Sequence, residues 1–360
     1  MESLVTPAFW QGKKVLITGH TGFKGSWLTL WLEQMGAKVS GISLANPEAR
    51  SHYALVQRGR DIQDITCDIR DKAALEAHIA AIQPEMVFHL AAQALVSCAY
   101  DAPWDNFTSN VSGTLNLLEA LRENDSVQAI LVVTTDKVYA NDGVKHHFFK
   151  ETDALGGQDP YSASKAMTEI LCASWRESFM RKKGVPLATA RAGNVIGGGD
   201  WAKDRLIPDY YRARDAQQTL HLRYPDAVRP WQHVLESLRG YLLYAEYLLH
   251  NRDHYVPALN FGPSMANQLT VKQVLEALSA VAQQTPEAVQ QVPPANSEAL
   301  YLNLDSTQAA HTLGWHPALN MPATLRLTHA WYATARGQTN MREFAVEQLN
   351  DYLRTCSAAQ

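Results

Sequence analysis

Thr134, Thr135, Asp136 and Lys137 stand together directly after a short aliphatic run, Ile130 to Val133. A hydroxyl pair, a carboxylate and an amine at the exit of a strand can offer a hydrogen-bond donor, an acid and a base to one small molecule. In an open parallel sheet that exit is where ligands bind. The alternative is an ordinary solvated strand end with a local Asp–Lys pair. A second pair lies 24 positions beyond Lys137: Tyr161 and Lys165. They are i and i+4 in a stretch, running to about Phe179, that reads as a helix, so they share one face. An ammonium beside a phenol favours the phenolate and makes Tyr161 a candidate base. Taken alone, Tyr-x-x-x-Lys is equally an ordinary surface pair on a helix.

The elements that must position these groups follow from the hydrophobic pattern. Lys14 to Thr18 reads as a buried strand, Gly19-His20-Thr21-Gly22-Phe23-Lys24-Gly25 as a glycine turn, and Ser26 to Met35 as a helix with apolar residues at Trp27, Leu28, Leu30, Trp31 and Leu32. Strand, glycine turn and helix together form the context of a dinucleotide site, with the phosphates on the helix N-terminus. Gly19 suits the tight turn, Gly22 a close approach to pyrophosphate, and Gly25 close packing of helix on strand; Thr21, Phe23 and Lys24 lie between them. The spacing is Gly-x-x-Gly-x-x-Gly.

Ala37 to Leu44 reads as a second strand. The segment after it, Ser43-Leu44-Ala45-Asn46, lacks the acid that would grip an adenosine ribose, and Arg50 follows. The expectation is NAD rather than NADP, held loosely. Ile65 to Arg70 puts Asp68 and Ile69 at a third strand end, near an adenine; Asp68 could equally cap a helix over Asp71 to Ala81. Met86 to Gln93 reads as a fourth strand ending in Leu90, Ala91, Ala92 and Gln93, small enough in part for a flat cofactor to lie against backbone. Asn110 to Leu121 reads as a helix, Gln128 to Thr134 as a strand, and Val185 to Arg191 as another. Strands alternating with helices in this order predict an α/β protein with a doubly wound parallel sheet. Trp231 to His250 reads as a helix, Ala258 to Gly262 as a strand returning to the sheet, and Pro293-Pro294 as a linker. From 339 on, no residue pattern suggests chemistry.

The 360 residues suffice for about two domains, or one with an appended lobe. Lys and Arg number 32 against 36 Asp and Glu, which leaves no basic footprint for nucleic acid. No run of about 18 apolar residues predicts a membrane span, and the N-terminus lacks the basic-then-apolar order of a signal peptide. Cys67, Cys98, Cys172 and Cys356 are scattered, without Cys-x-x-Cys, so reduced thiols in a cytoplasmic protein are expected and no metal site is. His146 and His147 lack ligand spacing to other candidates.

Together with His146 to Glu151, Gly156 to Lys165, Arg191 to Trp201, Arg229 to Val234 and Leu313 to Pro317, the glycine turn and the Thr134–Tyr139 stretch resemble the extended short-chain dehydrogenase/reductase family of nucleotide-sugar enzymes. Nearly the whole chain is covered. Within that family the resemblance is to 4,6-dehydratases, and among these to those acting on CDP-glucose. Relatives acting on dTDP-glucose carry Glu where Lys137 stands.

The resemblance implies a Rossmann domain over 1–193, with returning segments at about 231–262, and a smaller, mainly C-terminal substrate-binding lobe from 194–230 and 263–360. It implies NAD as cofactor, held by Gly19, Thr21, Gly22, Phe23, Lys24, Gly25, Asp68, Ile69, Leu90, Ala91, Ala92, Gln93, Asn110, Tyr161 and Lys165. It implies catalysis by Thr135, Asp136, Lys137, Tyr161 and Lys165, and substrate binding by Thr135, Asn194, Trp201, Arg205 and Arg229. The implied enzyme is a hydro-lyase making CDP-4-dehydro-6-deoxyglucose for the dideoxyhexoses of bacterial surface polysaccharide (O-antigen). A homodimer or homotetramer is implied, through apolar helices at 110–121 and 162–179. The rival readings are a 4-epimerase, another nucleotide-sugar dehydratase, or a non-catalytic NAD-sensing module.

Overall fold

In the computed structural model the described residues are 4–45, 48–56, 61–264, 268–284, 286, 288–293, 299–337 and 339–358. Asn46 of the segment after the second strand and Pro294 of the expected linker lie outside them. Seven strands form the central sheet: β1 (Lys14–Thr18), β2 (Lys38–Ser43), β3 (Gln63–Thr66), β4 (Met86–His89), β5 (Ala129–Val133), β6 (Leu187–Ala192) and β7 (Ala258–Phe261). Their spatial order is β7-β6-β5-β4-β1-β2-β3, and every neighbouring pair is parallel. The order reverses between β1 and β4, so the crevice above that pair is the ligand-binding place of a doubly wound sheet.

Alternate side chains of each strand enter different cores, as the two-residue period requires. Val15, Ile17, Phe88, Leu131 and Val133 pack on one face with Trp27, Trp31 and the apolar residues of Val234–His250. Leu16, Val87, Ile130 and Val132 pack on the other with Leu75, Ile79, Leu117 and Leu121. Both faces are covered, which is why these strands read as continuous apolar runs rather than alternating ones.

Five helices matter for the site: α1 (Phe23–Gln34), α2 (Lys72–Ile82), α3 (Gly113–Arg122), α4 (Pro160–Trp175) and α5 (Val234–His250). α1 starts three residues earlier than the apolar pattern suggests, so Phe23, Lys24 and Gly25 form its first turn. α2 is capped by Asp71, whose carboxylate accepts from Ala74 N at 3.1 Å; Asp68 is not the cap. α3 continues a helical path that begins at Pro103 and passes through a π-helical turn, Thr108–Ser112. α4 opens on Asp159, which caps Ser162 N at 2.9 Å. α5 starts at Val234, later than Trp231, because Gln232–His233 pair instead with Val195–Ile196. The last helix, Met341–Ala358, packs on α1 and on His52–Val56. No helix among the described residues is long and apolar enough to cross a membrane.

Candidate active site

One cleft of about 1380 Å³ runs along the carboxyl ends of β1 to β6. That is more than a single small ligand needs. Gly19, Thr21, Gly22, Phe23, Lys24 and Gly25 line one end with Asp68, Ile69 and Leu90 to Gln93. Thr135, Asp136, Lys137, Tyr161 and Lys165 line its middle. Asn194, Trp201, Arg205 and Arg229 line the far side.

The glycine end is built from main chain. Gly19 has φ +78°, and a Cβ there would lie 2.6 Å from Ala91 N. A Cβ on Gly25 would lie 2.1 Å from the Gly19 carbonyl oxygen. The turn therefore packs backbone on backbone against the segment that follows β4. The N-cap of α1 is Gly22, with no side-chain cap, so the first N–H groups of the helix are left for an anion. These features fit a dinucleotide pyrophosphate.

Asn110, expected among the cofactor residues, stands behind them and does not line the cleft. It is buried in the π-helical turn, accepts from Gln93 N at 2.8 Å and donates to the Gln93 carbonyl at 3.0 Å and to Ser164 Oγ at 2.9 Å. Its role here is to fasten the loop after β4 to α4. Asp68 lines the cleft but is gripped by Arg70 at 2.7 Å, which holds its carboxyl below the usual carboxylate range.

Thr135 ends an extended segment and starts a single 3-10 turn, Asp136–Val138. Its hydroxyl donates to Asp136 Oδ1 at 2.9 Å. Burial pushes the Asp136 carboxyl up, against the opposing pull of Lys137, Thr135, Arg229 and Lys24. Its Oδ2 has no hydrogen-bond partner among the described residues. Burial and the unpartnered oxygen both favour the protonated form of this carboxyl. Burial also raises Tyr161 to about 12. Lys165 is lowered to about 8 by burial, with Cys172 and Glu169 opposing, and its Nζ donates to the Val133 carbonyl at 2.9 Å. His89, at the end of β4, is held neutral: burial lowers it to about 3, and it sits between the hydroxyls of Thr18 at 2.6 Å and Thr114 at 2.9 Å.

Lys24 reaches further than a cofactor residue of the glycine turn needs to. Its Nζ lies 3.3 Å from the Tyr241 hydroxyl, and burial, Arg205 and Lys165 lower it to about 7 while Asp136 opposes. On the far side Arg205 pairs with Asp200 at 2.8 Å, and Arg229 donates to the carbonyls of Val228 and Leu300. The face of Trp201 carries the guanidinium of Arg50 at 3.9 Å.

Sequence reasoning missed two features. Glu48, on the cleft wall beyond β2, bonds Arg50; an acid five residues past the strand, beyond Pro47, falls outside the usual ribose position. Glu169 and Arg191 lie under the turn that carries Thr135, Asp136 and Lys137. The signal for Glu169 was its place one turn after Lys165, on the face that carries Tyr161.

Comparison with known proteins agrees with this geometry. Residues 16–328 match the family model described as GDP-mannose 4,6 dehydratase. A CDP-glucose 4,6-dehydratase of Salmonella typhimurium is 40% identical over 97% of this chain and 99% of its own. Among solved structures, a UDP-glucose 4-epimerase of Thermotoga maritima with UDP-glucose superposes with TM-score 0.78, at 24% identity, over 90% of this chain and 99% of its own. A dTDP-glucose 4,6-dehydratase of Bacillus anthracis in complex with NAD superposes with TM-score 0.75, at 21% identity, over 93% of this chain and 100% of its own. The two structures establish the shared fold.

Proposed function

The chain belongs to the family of nucleotide-sugar dehydratases that the GDP-mannose 4,6 dehydratase model describes, and from that premise we propose that it is an NAD-dependent hydro-lyase converting CDP-glucose to CDP-4-dehydro-6-deoxyglucose. The observation that carries the reading is one cleft wall on which an oxidising pair, Tyr161 and Lys165, meets an acid/amine pair, Asp136 and Lys137, beside a dinucleotide cradle. The choice of CDP-glucose is supported by the relative at 40% identity.

NAD, when bound, supplies the acceptor for the C4 hydride and its later donor at C6. Tyr161 takes the proton of the 4-hydroxyl, with Thr135 bonded to the same oxygen. The phenol holds its proton in the ligand-free cleft, and positive charge entering beside it pulls that proton off more readily. With C4 a ketone, the C5 proton becomes acidic, and Lys137 removes it. Asp136 gives its proton to the departing 6-hydroxyl, which leaves as water. After C6 is reduced, a proton returns to C5. The sugar loses water with no net oxidation. Arg205 and Arg229 bind the substrate diphosphate, where a guanidinium fork can donate two bonds. The product is a precursor of deoxyhexoses for surface polysaccharide.

Pairing of Arg50 with Glu48 and Trp201 supports NAD over NADP, because the arginine that could attract a 2′-phosphate already faces a carboxylate and a ring. Exposed Leu115, Met167 and Ile170, on α3 and α4, support self-association through those helices; Ile170→Glu should shift the mass in solution to that of a monomer, and an unchanged mass would refute this.

The test is incubation with CDP-glucose and NAD, read by the alkaline absorbance of a 4-keto sugar. Substrate labelled with deuterium at C4 should give product labelled at C6, with solvent hydrogen at C5. Release of a C4-epimer, loss of the label to water, or equal turnover with NADP or with dTDP-glucose would overturn the corresponding part of the proposal.

A further inference from the structure

Beneath the floor of the cleft lies an ion pair that the chemistry above does not use. Glu169 on α4 and Arg191 on β6 are each 4% exposed. Arg191 Nε donates to Glu169 Oε1 at 3.0 Å and Nη2 to Oε2 at 2.9 Å. Each carboxylate oxygen takes one further bond, Oε1 from the Thr134 hydroxyl at 2.5 Å and Oε2 from the Thr189 hydroxyl at 2.7 Å. The other end of the guanidinium donates to the Tyr139 phenol at 2.9 Å and to the Glu151 carbonyl at 3.2 Å. Tyr139 in turn donates to Asn260 Oδ1 at 2.7 Å. Thr134 and Tyr139 bracket the turn that carries Thr135, Asp136 and Lys137. Both ends of that turn are therefore tied to one buried pair. One turn earlier on α4, Lys165 holds the carbonyl of Val133, the residue before Thr134.

We infer that Glu169 and Arg191 form a positioning pair that fixes the turn bearing Thr135, Asp136 and Lys137 against the helix bearing Tyr161 and Lys165. The inference rests on the proposed function for what the positioned groups do. An apolar filling of the same space would avoid the desolvation of two charges. What the pair offers instead is directional bonds from one helix to two strands. Burial drives the Glu169 carboxyl upward, but Arg191 and the two threonine hydroxyls more than offset it, so the group stays charged. That charge stands one helical turn from the Lys165 ammonium. The charged and titratable groups around Lys165 are Tyr161, Glu169 and Cys172 on α4, Lys24 on α1 and His89 on β4. Removing the charge at 169 leaves Arg191 unbalanced, so the ammonium at 165 becomes harder to keep.

The experiment titrates ligand-free protein carrying isotope-labelled lysine by NMR, with the Lys165 signal assigned through Lys165→Arg. Glu169→Gln should move the Lys165 midpoint down by about one pH unit, and Glu169→Gln with Arg191→Met should bring it back. With NAD and CDP-glucose, Glu169→Gln should slow C4 oxidation about 10- to 100-fold with little change in KM. A Lys165 midpoint that stays at the wild-type value in Glu169→Gln would overturn the inference. If Glu169→Gln fails to fold, Thr134→Val removes one tie and no charge. It should leave the midpoint in place and slow C4 oxidation; unimpaired oxidation would also overturn the inference. Should CDP-glucose prove not to be the substrate, the midpoint and its restoration still test the pair.

Discussion

The two walls of the cleft are made of different material. The wall over β1 and β4 presents mainly main chain: the glycine turn, the N-terminus of α1 and the segment Leu90 to Gln93. The wall from Asn194 to Trp231 presents side chains, and its arginines already have partners. Arg205 holds Asp200 at 2.8 Å, Arg223 holds Asp204 at 3.3 Å, and Arg212 donates to the carbonyls of Trp201 and Ala202 at 2.8 Å. A main-chain wall cannot be tuned by exchanging side chains, but one Cβ in the wrong place destroys it. A wall of paired arginines must exchange partners when an anionic ligand enters, so its losses should be graded.

The largest expected effect tests the first half of that contrast. Gly25→Ala puts a Cβ 2.1 Å from the Gly19 carbonyl oxygen, main chain against main chain, where no side chain can swing aside. NAD binding measured by calorimetry should be lost altogether. Binding within tenfold of wild type would mean that the turn gives way, and the contrast between the walls would fail.

Next in size is the seam between the walls, where Lys137 stands half-buried beside Asp136. Lys137→Met should leave C4 oxidation intact, seen as transient absorbance of reduced nicotinamide on mixing, and slow elimination by about 100-fold, as for loss of a general base. Turnover near wild type would make Lys137 a cleft-edge charge. Loss of the transient itself would make it a substrate-positioning group.

The side-chain wall should respond more mildly. Arg205→Lys keeps the charge but loses the fork, so KM for the nucleotide sugar should rise about tenfold, near 1.4 kcal/mol, with kcat little changed. A fall in kcat with KM unchanged would place Arg205 with the reacting groups and blur the distinction.

The same contrast explains what was legible in the sequence. The glycine turn, the Tyr161–Lys165 pair and the Thr135–Lys137 triplet are each local in sequence, and each occupies the cleft. A helical or strand period reports neighbours along one element, so it showed that these groups sit together, while their roles came from the family resemblance. Contacts between elements are invisible to it. Glu169 meets Thr134 across 35 residues and Arg191 across 22. Read singly, they are a helix acid and a strand-end arginine. Asn110 has the right neighbourhood but the wrong layer, because the π-helical turn directs it behind the loop it was expected to join. Trp201, implied as a substrate-binding residue, has its face covered by Arg50 from the segment after β2. Element ends moved for similar reasons: Gln232 and His233 left the expected helix because Val195 and Ile196 offered a strand partner.

The smallest expected effect concerns a side chain of the main-chain wall, Lys24. Lys24 sits in the first turn of α1, where the helix dipole already disfavours a cation. Burial, then Arg205, lower its amine from 10.5 to about 7; Asp136 opposes and Lys165 adds to the lowering. The sign of the consequence follows from linkage. Between pH about 7 and 10.5 the unfolded chain holds a proton that the folded chain does not, so unfolding takes one up and stability rises with pH through that window. Below about 7 both states carry the proton and the folded one bears the whole penalty. Lys24→Met removes the charge. In ligand-free protein it should therefore melt a few degrees higher than wild type at and below neutral pH. The gap should close as pH rises through 10.5, above which the wild-type amine is neutral in both states. A shallower rise should persist in the variant, because Lys165, lowered to about 8, acts in the same direction over the upper part of the window. The acid limb should be common to both proteins, since His89 and His233, lowered from 6.5 to about 3 by burial, destabilise the fold as pH falls below their unfolded value. Melting temperature against pH for the two proteins decides the matter. A constant gap at every pH would show that methionine merely packs better, and that the fold does not hold the amine of Lys24 against its charge.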